Sequence, residues 1–274
     1  MSETQSDELE IRLPDEFSPE HKDAVLRYFQ ESATFSLTER SFAFEGFDML
    51  KQAVVDLRGE TFDFASIYES LVEQPFADSF IESLSKAKDI AREAERLRAD
   101  MARQVVDALM DRGFFRRGVP TSQFLMAYCL YWWYAFSKGY AFEIEIFRDL
   151  ASAGIVFESH HLLSSQERRS RHDLVVSFFK GDVKTSTYFL RTSQTATLHS
   201  DFYITQIMGR EKKVVQVVFL RKQFWDEIDG ETCRSTLALL PHVLPKPALI
   251  IHHGVLWVVV DYALWKEKIL LIQK

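Results

Sequence analysis

The apolar residues of this 274-residue chain keep two different periods. From Phe76 onward, Phe80, Leu84, Ala87, Ala91, Ala94, Leu97, Met101, Val105 and Leu109 recur at intervals of three and four, with charged residues between them, until Gly113. That spacing is one face of an α-helix and predicts a single long amphipathic helix of about 50 Å. Beyond Gly154 the period gives way to short β-branched and aromatic runs at 155–163, 172–178, 183–190 and 213–220. Runs of that length and composition predict strands. The expected class is therefore α/β, with a helical region in front of a sheet, and the length suits two domains.

Finer signals fill in the elements. Ser18, Pro19 and Glu20 supply an N-cap, a first-turn proline and an acid at the positive helix end, opening a helix to about Glu31. Further helices are expected over 47–57, stopped by Gly59, and over 64–72. The tract from Gly113 to Pro120 is the candidate boundary between an acidic helical region, 1–117, and a second domain, 118–274. Residues 123–137 are apolar almost all round, with Tyr128, Tyr131, Trp132, Trp133 and Tyr134, and predict a buried helix. Helices are expected again over 140–153, 195–208 and 263–272, with a strand pair at 248–251 and 255–260. Lys180-Gly181 reads as the tight connection between two strands.

Composition removes several function classes. Two cysteines, Cys129 and Cys233, build no disulfide framework, which points to a reducing, cytoplasmic setting. The opening MSETQSDELE lacks the basic and apolar regions of a signal peptide, and no apolar run reaches the roughly 20 residues that span a bilayer, so no membrane partner is expected. Residues 1–100 hold 11 Lys/Arg against 23 Asp/Glu, whereas residues 101–274 hold 22 against 17. The net charge of −7 argues against a non-specific nucleic-acid coat, while the basic C-terminal part can face phosphates locally. GxSxG, P-loop, GxGxxG and HExxH motifs are absent from the sequence. The adjacent pairs His160-His161 and His252-His253 point to opposite strand faces and read as core or edge histidines.

Chemistry concentrates between 138 and 190. Asp182 and Lys184, two apart on a strand, share a face; a hairpin brings Asp173 to them, and Glu143 lies on the preceding helix. Crowded carboxylates repel unless a cation neutralises them, and hard oxygen donors suit magnesium or manganese. Glu145 lies about 200° around the helix from Glu143, so only one of the two can face the site.

The segments Lys138-Gly-Tyr-Ala-Phe-Glu143, Asp173-Leu-Val-Val and Gly181-Asp-Val-Lys-Thr-Ser186 resemble the PD-(D/E)xK nuclease superfamily, and the opening Lys-Gly-x-x-x-Glu is similar to its Holliday-junction-resolvase-like branch. The resemblance spans about residues 138–220. His172 stands where the family name has Pro, and Asp182 replaces the commoner Glu. It implies a restriction-endonuclease-like αβββαβ core with a mixed sheet and a Mg2+- or Mn2+-dependent deoxyribonuclease, in a restriction, defence or repair setting. By carry-over, Asp173, Asp182 and the Val183 carbonyl would hold the metal, Lys184 would orient or activate the attacking water, and Glu143 would complete the shell. Gln206, on the second expected helix, would be an additional polar residue. Arg168, Arg169, Arg171, Lys180, Thr185, Ser186 and Arg191, with Lys212 and Lys213, are candidate phosphate contacts. DNA is the expected partner, with RNA as the other substrate for the same metals, and a homo-oligomer through the long helix is expected. The alternative is a non-catalytic assembly or DNA-binding protein with a nuclease-like fold.

Overall fold

The computed structural model describes residues 9–31, 33–164, 167, 170–187, 189–192, 198–228, 232–252 and 254–274. The chain divides into two units, Met1–Ser137 and Lys138–Lys274. That division falls inside a helix, not in the Gly113 to Pro120 tract expected to separate 1–117 from 118–274.

In the first unit, strand β1 (Leu9–Arg12) precedes helix α1 (Pro19–Glu31), whose first turn is capped where Ser18 Oγ accepts the His21 N–H at 3.3 Å. Helix α2 (Leu37–Met49) opens with a capping box between Ser36 and Glu39. The helix expected over 47–57 is corrected by the structure: Val54–Leu57 is strand β2, paired antiparallel with β1 and with β3 (Glu60–Asp63). Arg58 and Gly59, at φ 55° and 83°, form the two-residue turn between β2 and β3, so Gly59 closes a hairpin and does not stop a helix. The N-terminal region is thus not wholly helical.

Helix α3 (Phe64–Tyr68) passes through a π-helical turn, Glu69–Glu73, into α4 (Gln74–Lys86). The single long helix expected from Phe76 to Leu109 is two, α4 and α5 (Ile90–Asp111). Ala87 is extended, and the Asp89 carboxylate caps α5 by accepting the Arg92 N–H at 3.0 Å. The stripe Ile90, Ala94, Leu97, Met101, Val105 and Leu109 is buried and α4 packs on α5, so the stripe belongs to the core of this unit.

Helix α6 (Ser122–Ser152) is 31 residues long and fuses the two helices expected on either side of Gly139. Glycine costs backbone entropy in a helix, but side chains on both sides of it, Trp133, Phe142, Ile146 and Leu150 among them, are buried and outweigh that cost.

The second unit is a mixed eight-stranded sheet in the order β4-β5-β6-β7-β8-β11-β10-β9. β4 (Phe157–Ser159), β5 (Leu174–Val176) and β6 (Phe179–Lys184) form an antiparallel meander. The crossover after β6 includes the short helix α7 (Phe189–Thr192) and returns β7 (Phe202–Met208) parallel to β6. β8 (Val214–Arg221) pairs antiparallel with β7. Helices α8 (Lys222–Ile228) and α9 (Leu240–Val243) flank β9 (Cys233–Arg234), and the hairpin of β10 (Ala248–His252) and β11 (Val255–Asp261) leads to α10 (Tyr262–Ile272). Phe142, Ile146 and Leu150 of α6 and Trp265 of α10 cover one sheet face, while Leu190 and Leu240 join Tyr203, Phe219 and Trp257 on the other.

Two local expectations in this unit are corrected. Val176 pairs with Phe179 across Ser177-Phe178, both at positive φ (48° and 75°), so these residues, and not Lys180-Gly181, make the turn. Gly181 lies within β6 because the Phe202 ring needs its space: a Cβ there would come within 2.1 Å of that ring. The helix expected over 195–208 is strand β7 at Phe202–Met208, where Phe202, Tyr203 and Ile204 are buried between two layers; residues 193–197 lie outside the described residues. Among the described residues no helix is long and apolar enough to cross a membrane.

Candidate functional site

Buried apolar neighbours Phe142, Ile144 and Ile146 fix the rotation of α6, and that rotation turns Glu143 inward at 6% exposure. Its carboxylate Oε1 is in close contact with His160 Nε2. His160 follows β4, whose pairing of Ser159 with Leu174 sets His160 beside Asp173; the His160 N–H donates to the Asp173 carbonyl at 3.1 Å. Its Nδ1 lies 3.2 Å from Ser170 Oγ and 3.9 Å from Asp173 Oδ1. One ligand atom from each of Glu143, His160 and Asp173 falls within 4.8 Å of the others.

Asp173 sits where β5 and β6 part. Its backbone N–H still bonds the Gly181 carbonyl at 3.0 Å, and its Oδ2 accepts the Val183 N–H at 2.7 Å. Strand alternation places Asp182 and Lys184 on one face, and Lys184 Nζ donates to Asp182 Oδ1 at 2.6 Å. Thr205, in register with Lys184 on β7, is fully buried with its hydroxyl unpartnered.

The electrostatics follow from crowding. Burial, then the hydrogen bond and negative charge of Asp173, push the Asp182 carboxyl up to about 8 against the pull of Lys184. Burial also raises Glu143, with His160 opposing. Burial disfavours the charged forms of His160 and Lys184, yet the carboxylates around them prevail and hold both above their ordinary values. Three carboxyl groups, one imidazole and one ammonium thus cluster with most of them shielded from solvent, while the Lys184 side chain is 41% exposed.

Glu143, Asp173, Asp182 and Lys184 are therefore brought together, and it is Glu143, not Glu145, that meets His160. Val183 pairs with Ile204 in the ladder, its N–H held by Asp173. The residues expected to contact phosphate fall on several different segments. Arg171 and Lys180 are exposed, Thr185 is half-buried and Ser186 exposed just after β6, Arg191 belongs to α7, and Lys213 is exposed beside Glu211 at 3.0 Å. Arg168 and Arg169 lie outside the described residues. Gln206 stands on a strand instead of a helix, one residue past Thr205 and so on the opposite face from Lys184. His160 was read as a core or edge histidine; the signal that finds it is the β4–β5 pairing, which makes it the neighbour of Asp173.

Comparison with protein-family models, with curated proteins and with solved structures finds no match for this chain.

Proposed function

We propose that this chain is a divalent-metal-dependent nuclease that hydrolyses DNA phosphodiester bonds. The observation that carries the reading is the convergence of Glu143, Asp173 and Asp182 with Lys184 where β5 and β6 separate, with Asp182 held reluctant to ionise. The order α6, β4, β5, β6, α7, β7, with β7 parallel to β6, supports it: the four-residue α7 and the strand β7 give an αβββαβ succession, in place of the helix over 195–208 and the strand over 213–220 that the sequence suggested.

The donor set fits a divalent ion. Carboxylates this close favour a cation between them, and oxygen donors joined by one imidazole suit Mn2+ as well as Mg2+. Asp173, Glu143 and His160 would hold it, with Asp182 and the Val183 carbonyl as the further ligands that the resemblance implies. Such an ion polarises a phosphoryl oxygen and lowers the pKa of water. The chain supplies the rest: Asp182 tethers the Lys184 ammonium, which is exposed enough to orient a water or a phosphate oxygen, and His160 locks the rotamer of Glu143.

The test incubates the protein with supercoiled, linear and branched DNA, and with RNA, in Mg2+, Mn2+ or EDTA, beside Asp182→Ala. Cleavage that needs the metal and is lost in the variant is the expected result. Silence on every substrate, together with no thermal shift on adding metal, overturns the reading, and cleavage of RNA alone reassigns the substrate.

A further inference from the structure

β7 and β8 outrun their neighbours. β6 pairs with β7 only as far as Thr205, opposite Lys184, and β11 pairs with β8 only from Val217, so residues 206–208 and 214–216 pair with each other alone. Because β6 and β7 run parallel, this two-stranded ribbon leaves the sheet on the Lys184 side and reaches about 10 Å beyond it, at roughly 3.3 Å per residue.

The two faces of the ribbon differ. Ile207 and Val215 pack on the core cluster that includes Leu240, and Arg210 Nη2 donates to the His242 carbonyl at 2.8 Å, so this face is braced by α9. The opposite face, turned away from that of Lys184, carries two cross-strand pairs, Gln206 with Gln216 and Met208 with Val214, the latter two each 58% exposed. The tip reads Arg210-Glu-Lys-Lys213, three cations against one carboxylate.

We infer that this ribbon enters the major groove of duplex DNA beside the candidate cleavage site and reads bases there. The inference rests on the nuclease reading above. The major groove, about 12 Å wide, admits a two-stranded ribbon; a glutamine carboxamide pairs with adenine N6 and N7, and aliphatic tips meet the thymine methyl group. The net positive tip matches the phosphates lining the groove, and Lys213, 76% exposed though paired with Glu211 at 3.0 Å, would be a contact that fixes register without reading sequence. The braced face holds the reading face rigid, so little ordering is required when it docks.

Two measurements on the full chain test this: sequencing the ends cut from a random-sequence duplex pool in Mg2+, and binding of labelled duplexes in EDTA across a salt series. The wild type is expected to favour A·T pairs within about three base pairs of the cut, a spacing set by the reach of the ribbon. Gln216→Ala is expected to erase that preference and weaken binding to the preferred duplex about tenfold with the salt slope unchanged. Lys213→Ala is expected to weaken all sequences alike and reduce the salt slope by about one. Cleavage and binding that ignore sequence, or that both variants leave unchanged, overturn the ribbon's role and leave the nuclease reading standing. No cleavage and no binding overturn both. A chain that dimerises through the ribbon, with Met208→Glu giving monomers of unaltered DNA preference, also overturns it.

Discussion

At the scale of single residues, the site couples protonation to charge crowding. The Asp182 carboxyl ordinarily ionises near 3.8 and here near 8, so the fold favours its protonated form. Its contribution to stability is full below about pH 4 and is lost as pH rises through about 8. In EDTA, the melting temperature of the wild type is therefore expected to fall relative to Asp182→Asn as pH is raised across that window. Parallel curves for the two proteins would contradict it. Lys184→Met is expected to cost cleavage roughly 100-fold or more while leaving the fold intact, read from turnover and circular dichroism. Asp182 and Lys184 were legible because a spacing of two on a strand fixes a shared face whatever the tertiary structure. His160 was not, because its role depends on which residue of the next strand lies beside it, and nothing in the sequence of residues 160–173, which join β4 to β5, announces that register.

At the scale of elements, glycine misled in both directions. Gly181 looked like a turn and is a mid-strand gap filled by the Phe202 ring. Gly181→Ala is expected to lower stability by about 1–3 kcal/mol, the usual cost of overpacking, checked by urea unfolding. Gly139, between the helices expected over 123–137 and 140–153, is a helix interior in which an added Cβ meets nothing within 4 Å. Gly139→Ala is expected to stabilise by about 0.5–1 kcal/mol, seen as a raised urea midpoint with unchanged slope. Gly59 does sit at a turn, but one between strands. A glycine marks a place where the backbone or a neighbour needs freedom, and only the surroundings say which. The break between α4 and α5 was partly legible, since Asp89 is a strong N-cap residue, but the apolar period continues across it and hid the cap.

At the scale of the molecule, the mixed α/β class followed from the change of period, and the β10–β11 hairpin with α10 stands where the pattern put it. The three-stranded sheet of the first unit was missed because its strands have four residues each, too few for alternation to outweigh neighbouring helical signal. Saturating Mn2+ is expected to raise the melting temperature by a few degrees, with the rise abolished in Asp173→Asn, because a ligand that binds only the folded state stabilises it. An unchanged melting temperature in differential scanning calorimetry would count against the metal centre.

One bond in the site serves the folding chain as well. The Asp173 carboxylate takes the Val183 N–H just past the point where the main-chain ladder of β5 and β6 ends, so a side chain supplies the last rung. A hairpin closed one residue out of step would turn Asp182 and Lys184 to the other face and leave that rung unmade. A chain paired in that shifted register does not assemble the cluster, so the site and the native pairing of β5 with β6 form together.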